Sequence, residues 1–114
     1  MSDSLFNSPI GEGRYRADCD IRSLIETINK EQELDINKKK FSIEKGFSKE
    51  KFNSDGEMIK YYLSILKSKK IKVKCKYLRA IKNRRHASYL LTLSIDKKDV
   101  EDLKNGEILK SLKG

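Results

Sequence analysis

Residues that build the commonest chemical sites are scarce in this sequence. The 114-residue chain has two cysteines, one histidine, one proline and no tryptophan. Cys19 and Cys75 are not arranged as a CxxC motif, which argues against a zinc site and a disulfide framework, so we expect two reduced thiols. Because the sequence also lacks a glycine-rich phosphate loop, a cluster of metal ligands and a Ser/His/Asp arrangement, it predicts no cofactor and no metal.

Long apolar runs are missing as well. No run approaches the roughly eighteen residues of a membrane span, and the polar first ten residues lack the basic start and apolar stretch of a signal peptide. Hydrophobic residues make up 37% of the chain and charged residues 38%, which indicates one small domain with a large solvated surface. These features predict a cytoplasmic protein that does not contact a membrane.

Acidic residues are absent from one long segment, residues 58–95. The first 50 residues carry nine lysines and arginines against ten acids, whereas segment 58–95 has eleven basic residues and no acidic one. A window of this length should hold about six acids. The codon usage of an AT-rich genome adds lysines but does not remove acids from one window. The segment therefore predicts a polyanionic partner for a chain whose net charge is +9.

The first half of the chain shows short and mixed patterns. Residues 1–13 are polar and contain the only proline, so we expect a flexible N-terminal arm followed by a single domain over residues 14–114. Residues 14–21 alternate as a strand does, and residues 21–31 have the apolar spacing of an amphipathic helix. Residues 34–36 and 41–43 predict a small hairpin, and residues 46–53 predict an irregular connection.

The second half shows clearer patterns. Ser54 and Glu57 match a capping box, which predicts a helix over residues 55–68. Residues 71–77 alternate between an apolar face and a lysine face, and residues 89–95 alternate again, so the two segments predict a hairpin whose tip spans residues 82–86. Asp96 is expected to cap a short helix that Asn105-Gly106 ends in a left-handed turn. The fold class is α+β, with a small antiparallel sheet and two to three helices packed on one face.

The basic hairpin is the strongest functional signal. Alternate residues of a strand lie about 6.5–7 Å apart on one face, so three alternating lysines form a row that can follow a phosphate backbone. Edge strands also carry lysines simply to block aggregation, which is the structural alternative. The predicted nucleic-acid-binding residues are Lys67, Lys69, Lys70, Lys72, Lys74, Lys76, Lys82, Arg84 and Arg85.

His86 is the one candidate catalytic residue. It could act as a general acid or base beside arginines that stabilise a phosphoryl transition state, although no carboxylate in its own segment orients it. The nine residues from Asp102 to Lys110 resemble the closing helix-turn of HicA-type toxins, small basic ribonucleases with a dsRNA-binding-like fold. That resemblance implies a catalytic role for His86, but the glycine and serine that precede the family's histidine are absent here.

The remaining aromatic and sulfur residues are expected to be structural. Tyr62, Tyr77 and Tyr89 fall on apolar faces and predict core packing, as do both cysteines on their strands. Tyr61 falls on the more polar face of its helix, where it could contact a ligand.

Three functions are consistent with the sequence. The first is a non-enzymatic nucleic-acid-binding module that contacts the phosphate backbone through the basic hairpin. The second is an accessory factor of phage or plasmid type that docks on an acidic protein surface. The third is a small toxin-like ribonuclease. The sequence does not distinguish DNA from RNA as the target, and it does not indicate the oligomeric state.

Overall fold

The computed structural model describes residues 9–82 and 86–113, which form four helices and three strands. Their order along the chain is α1 (Pro9–Leu34), β1 (Lys40–Ser48), α2 (Lys49–Ser54), α3 (Gly56–Ser68), β2 (Lys72–Leu78), β3 (Ser88–Asp96) and α4 (Lys97–Lys113).

The three strands form one antiparallel sheet in the order β1-β3-β2. The hairpin strands pair with Cys75 opposite Leu91, and β1 pairs along the other side of β3 with Ile43 opposite Leu93. Helices α1 and α3 pack on each other and cover one face of the sheet, which we call the inner face. The α+β class, with helices packed on one face of a small antiparallel sheet, is confirmed.

Odd-numbered strand residues point to the inner face, and the apolar ones of β1 and β3 build most of the core together with one stripe of each long helix. Burying these side chains is the main favourable contribution to folding, at about 1.5–3 kcal/mol for each large one. The buried strand residues are Phe41, Phe47, Leu91, Leu93 and Ile95, and the buried helix residues include Ala17, Ile21, Leu24, Ile28, Met58, Tyr62 and Leu66.

Helix α1 corrects the predicted strand over residues 14–21. Its buried stripe continues toward the N-terminus through Gly13 and Ala17, which are small enough to let α1 approach α3 closely. Tyr15 and Cys19, which the strand pattern placed inward, are exposed. The alternation of residues 14–21 was misleading because small residues at helical spacing carry little hydrophobic signal.

The predicted hairpin between residues 34–36 and 41–43 is also wrong. Leu34 ends α1 and is 86% exposed, while residues 41–43 belong to β1, which pairs with β3 instead. Residues 46–48 continue that strand, and Lys49–Ser54 form α2, so the expected irregular connection is regular structure. Ser48 caps α2, because its hydroxyl accepts a hydrogen bond from the Lys51 amide at 3.1 Å.

Helix α3 matches its predicted range to within one residue, but both of its ends differ from simple expectation. The residue before its first turn is Asp55, and Ser54 belongs to α2, so the capping box does not form. At the other end, the amides of Ile71 and Lys70 donate to the carbonyls of Leu66 and Lys67, each at 3.0 Å. This is a Schellman motif, and its left-handed position is held by Lys70 at a φ of 63° rather than by glycine.

Helix α4 runs through the predicted stop at Asn105-Gly106. No described glycine has a positive φ, so Gly106 is an ordinary helical residue and the helix is longer than expected. Val100 and Leu103 are buried, and the Arg22 guanidinium of α1 contacts the Glu107 carboxylate at 3.1 Å. These contacts hold α4 against α1 beyond the glycine.

Residues 9–13 of the expected N-terminal arm are the start of α1, and residues 1–8 lie outside the described residues. The division into an arm and one domain stays a prediction. Within residues 9–82 and 86–113, no helix is both long and apolar enough to cross a membrane.

A buried polar contact joins α1, α3 and β1. The hydroxyl of Tyr62 donates to the carboxylate of Asp20 at 2.7 Å, and the Lys45 ammonium lies 3.0 Å from the other oxygen of that carboxylate. Asp20 is 3% exposed, so both partners are needed to satisfy its charge. Burial first, and then the hydrogen bond to Asp20, raises the pKa of Tyr62 far above its usual range.

This contact predicts a loss of stability at alkaline pH. An unfolded tyrosine loses its proton near pH 10, whereas folded Tyr62 keeps it, so its contribution is complete below pH 10 and declines above it. From pH 9 to pH 11, the unfolding free energy of the wild type should fall by roughly 1–1.5 kcal/mol relative to Tyr62→Phe. Urea unfolding at both pH values measures this change. A constant difference between the two proteins would contradict the prediction.

Candidate nucleic-acid interface

The second face of the sheet, which we call the outer face, is uncovered. Even-numbered residues of β1 and β2 are exposed along this face, apart from the half-buried Leu78 at the end of β2. An added Cβ at Gly46 would meet nothing within 4 Å, so the surface is open at this point as well. On the central strand β3, Leu90 and Thr92 are half-buried and Ser94 is buried, so the outer face is most accessible along the two edge strands.

The lysine row of β2 lies on this outer face, as its alternation predicted. Lys72, Lys74 and Lys76 are all exposed, and their partners on β3 are Ser94, Thr92 and Leu90 in that order. Alternate residues along a strand are about 6.5–7 Å apart, so the Cα atoms of these three lysines follow one another at that spacing along β2. Further across, β1 presents Ser42, Glu44 and Gly46 opposite the same residues of β3.

Carboxylates from outside the acid-free segment neutralise one end of this row. Asp96, at the end of β3, lies 3.4 Å from the Lys72 ammonium. Lys70 is paired with Asp102 at 2.8 Å and with Asp99 at 3.8 Å, both on α4. The hydrogen bond to Asp102, with the charges of Asp102 and Asp99, raises the pKa of Lys70. These pairs engage the Lys70 ammonium, which the sequence had predicted to contact phosphate.

The other end of the row keeps its charge unpaired. Lys74 and Lys76 form no ion pair with any carboxylate among the described residues. The row runs from them toward the hairpin tip, where Lys82 is also exposed. Arg84 and Arg85 lie outside the described residues, so their part of the site stays a prediction.

Two of the predicted lysines lie away from the outer face. Lys67, near the end of α3, lines an open groove of about 480 Å³ between α3 and the inner side of β2. Lys69 is half-buried, and its ammonium lies 3.4 Å from the position of a Cβ on Gly106 of α4. The structure thus places the seven predicted residues that it describes in several environments rather than on one surface.

The inner side of β2 is only partly covered, which corrects two predictions of burial. Tyr77 is 44% exposed and Cys75 is exposed, since α3 covers β2 only near Ile71 and Val73. The aromatic residues form a chain in which Phe52 stacks on Tyr89 at 4.3 Å and Tyr89 contacts Tyr77 at 5.1 Å between ring centroids. Sequence alternation identifies the face of a residue but not how far a helix extends over that face.

The remaining tyrosine predictions differ in outcome. Tyr62 is fully buried, as its place on the apolar stripe of α3 predicted. Tyr89 is half-buried, and Tyr61 is half-buried on the same helix as Tyr62. A ligand contact at Tyr61 stays a prediction.

His86 is exposed at the end of the hairpin tip, two residues before β3. It lines a small pocket of about 220 Å³ together with Ser48, Lys49 and Glu50 at the junction of β1 and α2. Sequence reasoning missed Glu50 as a neighbour because it lies 36 positions away along the chain. Within the described residues, no hydrogen bond joins His86 to this carboxylate, so the pair is not arranged as an oriented acid-base dyad.

Among the described residues, no group of three or more histidines, cysteines or acids is close enough to bind a metal ion. The segment that resembles the closing helix-turn of HicA-type toxins is continuous helix in α4, without the turn. Comparisons of the chain with protein-family models, with curated proteins and with solved structures found no match.

Proposed function

We propose that this protein is a non-enzymatic nucleic-acid-binding module that contacts the phosphate backbone with the outer face of its sheet. One observation carries the proposal: the outer face is open, and Lys74 and Lys76 on it have no carboxylate partner among the described residues. Exposed cations at the spacing of alternate strand residues suit a repeating polyanion, because each released counterion favours binding.

The arrangement of charge supports a particular orientation of the bound nucleic acid. Asp96, Asp99 and Asp102 gather at the end of β2 next to α4, where a phosphate would be repelled. The opposite end leads to the hairpin tip and contains no described acid on β2. The backbone is therefore expected to cross β2 at Lys74 and Lys76 and to continue toward the tip. Such contacts set affinity and position but do not read base sequence.

The cellular location and the two alternative functions are proposed on separate grounds. A cytoplasmic location is consistent with two unpaired cysteines. Docking on an acidic protein is the alternative that the same surface supports, since carboxylates and phosphates both attract exposed lysines. For a toxin-like ribonuclease, the small pocket lined by His86 and Glu50 is the candidate centre.

Salt dependence tests the proposal directly. If Lys74, Lys76, Lys82 and the two arginines of the tip neutralise five phosphates, the logarithm of affinity should fall with the logarithm of salt at a slope of about −4 to −5. Between 50 and 200 mM salt this corresponds to a loss of several hundred-fold. The measurement is fluorescence anisotropy of a labelled mixed-sequence oligonucleotide, as duplex and as single strand. No binding, or a flat salt dependence, would refute the proposal. A cellular protein complex that survives nuclease would favour the acidic protein instead.

A further inference from the structure

We infer that the free edge of β2 is a docking site for an extended protein segment in which acidic and apolar residues alternate. Such a segment would add a fourth strand to the sheet. The inference goes beyond nucleic-acid binding and does not depend on it.

The backbone of β2 offers the first part of the site. In the strand order β1-β3-β2, only one side of β2 is paired, and residues 74–77 are all exposed. The unpaired N–H and C=O groups of an edge strand are a template for another chain. The other edge strand, β1, has no uncovered inner side, because α1 packs on it and Phe41 and Phe47 are buried there.

The inner side of this edge offers an apolar surface. The groove of about 480 Å³ between α3 and β2 has mostly apolar walls and is open to solvent. Its lining residues include Phe52, Leu63, Ile71, Val73, Cys75 and Leu91. Apolar side chains of an added strand would cover these residues, at about 25 cal/mol for each Å² removed from water.

The outer side of the same edge offers charge. Side chains of neighbouring strands on one face lie about 4.5–5.5 Å apart when directly opposite. Residues of the added strand that point outward would thus lie beside Lys74 and Lys76, which are free to pair with acids. Residues that point inward would lie over Val73 and Cys75 in the groove. This combination selects a strand that alternates acidic and apolar residues.

A second copy of this chain is a poor occupant of the edge. Two copies could pair their β2 strands antiparallel, with Cys75 opposite Cys75 and both outer faces on the same side. This register would place Lys74 of each copy opposite Lys76 of the other. Like charges directly opposite destabilise a sheet. The lysines that prevent self-association are therefore the ones that favour an acidic partner. Because the same lysines serve the proposed nucleic-acid site, the two ligands are expected to compete.

The exposed thiol of Cys75 gives a direct test. In a Cys19→Ser protein, Cys75 is the one remaining cysteine, and its rate of maleimide labelling reports coverage of the groove. The probe is a seven-residue peptide of alternating glutamate and valine, used below the concentration at which it associates with itself. The matched control peptide alternates lysine and valine. We expect the glutamate peptide to slow labelling at least tenfold and to slow hydrogen exchange of the β2 amides, and the lysine peptide to do neither.

Three results would overturn the inference. The first is an equal rate of Cys75 labelling in the presence of the glutamate peptide and of the lysine peptide. The second is binding of the glutamate peptide without protection of the β2 amides, which would show attraction of charge alone. Replacing Lys74 and Lys76 by glutamine should weaken protection by the glutamate peptide, and unchanged protection would also contradict the proposal. The labelling experiment contains no nucleic acid, so a negative result there does not affect the proposed nucleic-acid function. A negative result in the salt-dependence experiment likewise does not affect the inferred docking site.

Discussion

Replacing Lys74 and Lys76 together by glutamate is expected to reduce nucleic-acid affinity by about 100-fold or more at 0.1 M salt. Both ammonium groups are lost from the open outer face, and two carboxylates take their place beside the expected path of the phosphates. Like charges brought together at an interface cost several kcal/mol. Neither lysine has an ion-pair partner among the described residues, so the fold should tolerate the change. Fluorescence anisotropy measures the affinity.

A control with the same change in net charge separates the lysine row from simple overall charge. Lys30 on α1 and Lys98 at the start of α4 are exposed and lie outside the strands. Their double replacement by glutamate should lower affinity much less. The glutamine pair at Lys74 and Lys76 should also make the salt slope shallower by about two, one for each lost phosphate contact. If the glutamate replacements at Lys74 and Lys76 and those at Lys30 and Lys98 weaken binding equally, net charge determines binding and this surface does not.

Replacing Gly13 by alanine is expected to destabilise the fold by about 2–3 kcal/mol, although alanine is the better helix former. At Gly13, a Cβ on α1 would overlap the carbonyl oxygen of Met58 on α3, and the Met58 Cγ would lie 3.2 Å away. The obstacle is backbone, which cannot rotate aside as a side chain can. The two helices would have to separate over the core that Ala17, Met58 and Tyr62 fill. Thermal unfolding followed by circular dichroism should show a midpoint on the order of 5 °C lower or more.

Gly56 is the matched control for Gly13. It is also a helical glycine, at the start of α3, but an added Cβ there would meet nothing within 4 Å. Gly56→Ala should therefore leave stability unchanged or raise it by up to about 1 kcal/mol, because alanine restricts the unfolded chain and favours the helix. If Gly13→Ala and Gly56→Ala shift the unfolding midpoint equally, close packing of α1 on α3 does not explain the effect of the substitution at Gly13.

Regular periodicity made parts of this fold predictable. Helix α3 and the strands β2 and β3 have consistent apolar spacing, and their ranges agree with the structure to within one or two residues. The predictions failed where a local signal competed with tertiary packing. Asn105-Gly106 has the composition of a helix stop, yet Val100, Leu103 and Glu107 are held against the rest of the protein, so the helix continues.

The long helix α1 shows the same conflict. Gly13 and Ala17 are weak hydrophobic residues, and their importance comes from the backbone of α3 that approaches them. No local pattern can report that approach, because residues 13 and 58 are distant along the chain. For the same reason, Glu50 was not expected beside His86, and β1 was assigned the wrong pairing partner.

By itself, the sequence determined that the protein has an acid-free basic segment and a strand with one face of lysines, because both features depend only on the order of residues. Only the tertiary structure decided which of those lysines are available. It brings Asp96, Asp99 and Asp102 onto Lys70 and Lys72, and it leaves Lys74 and Lys76 on an open face. It also leaves β2 as an edge strand with an uncovered inner side. Electrostatic pairing and coverage depend on distances of a few ångströms, which the fold sets between residues far apart in the chain.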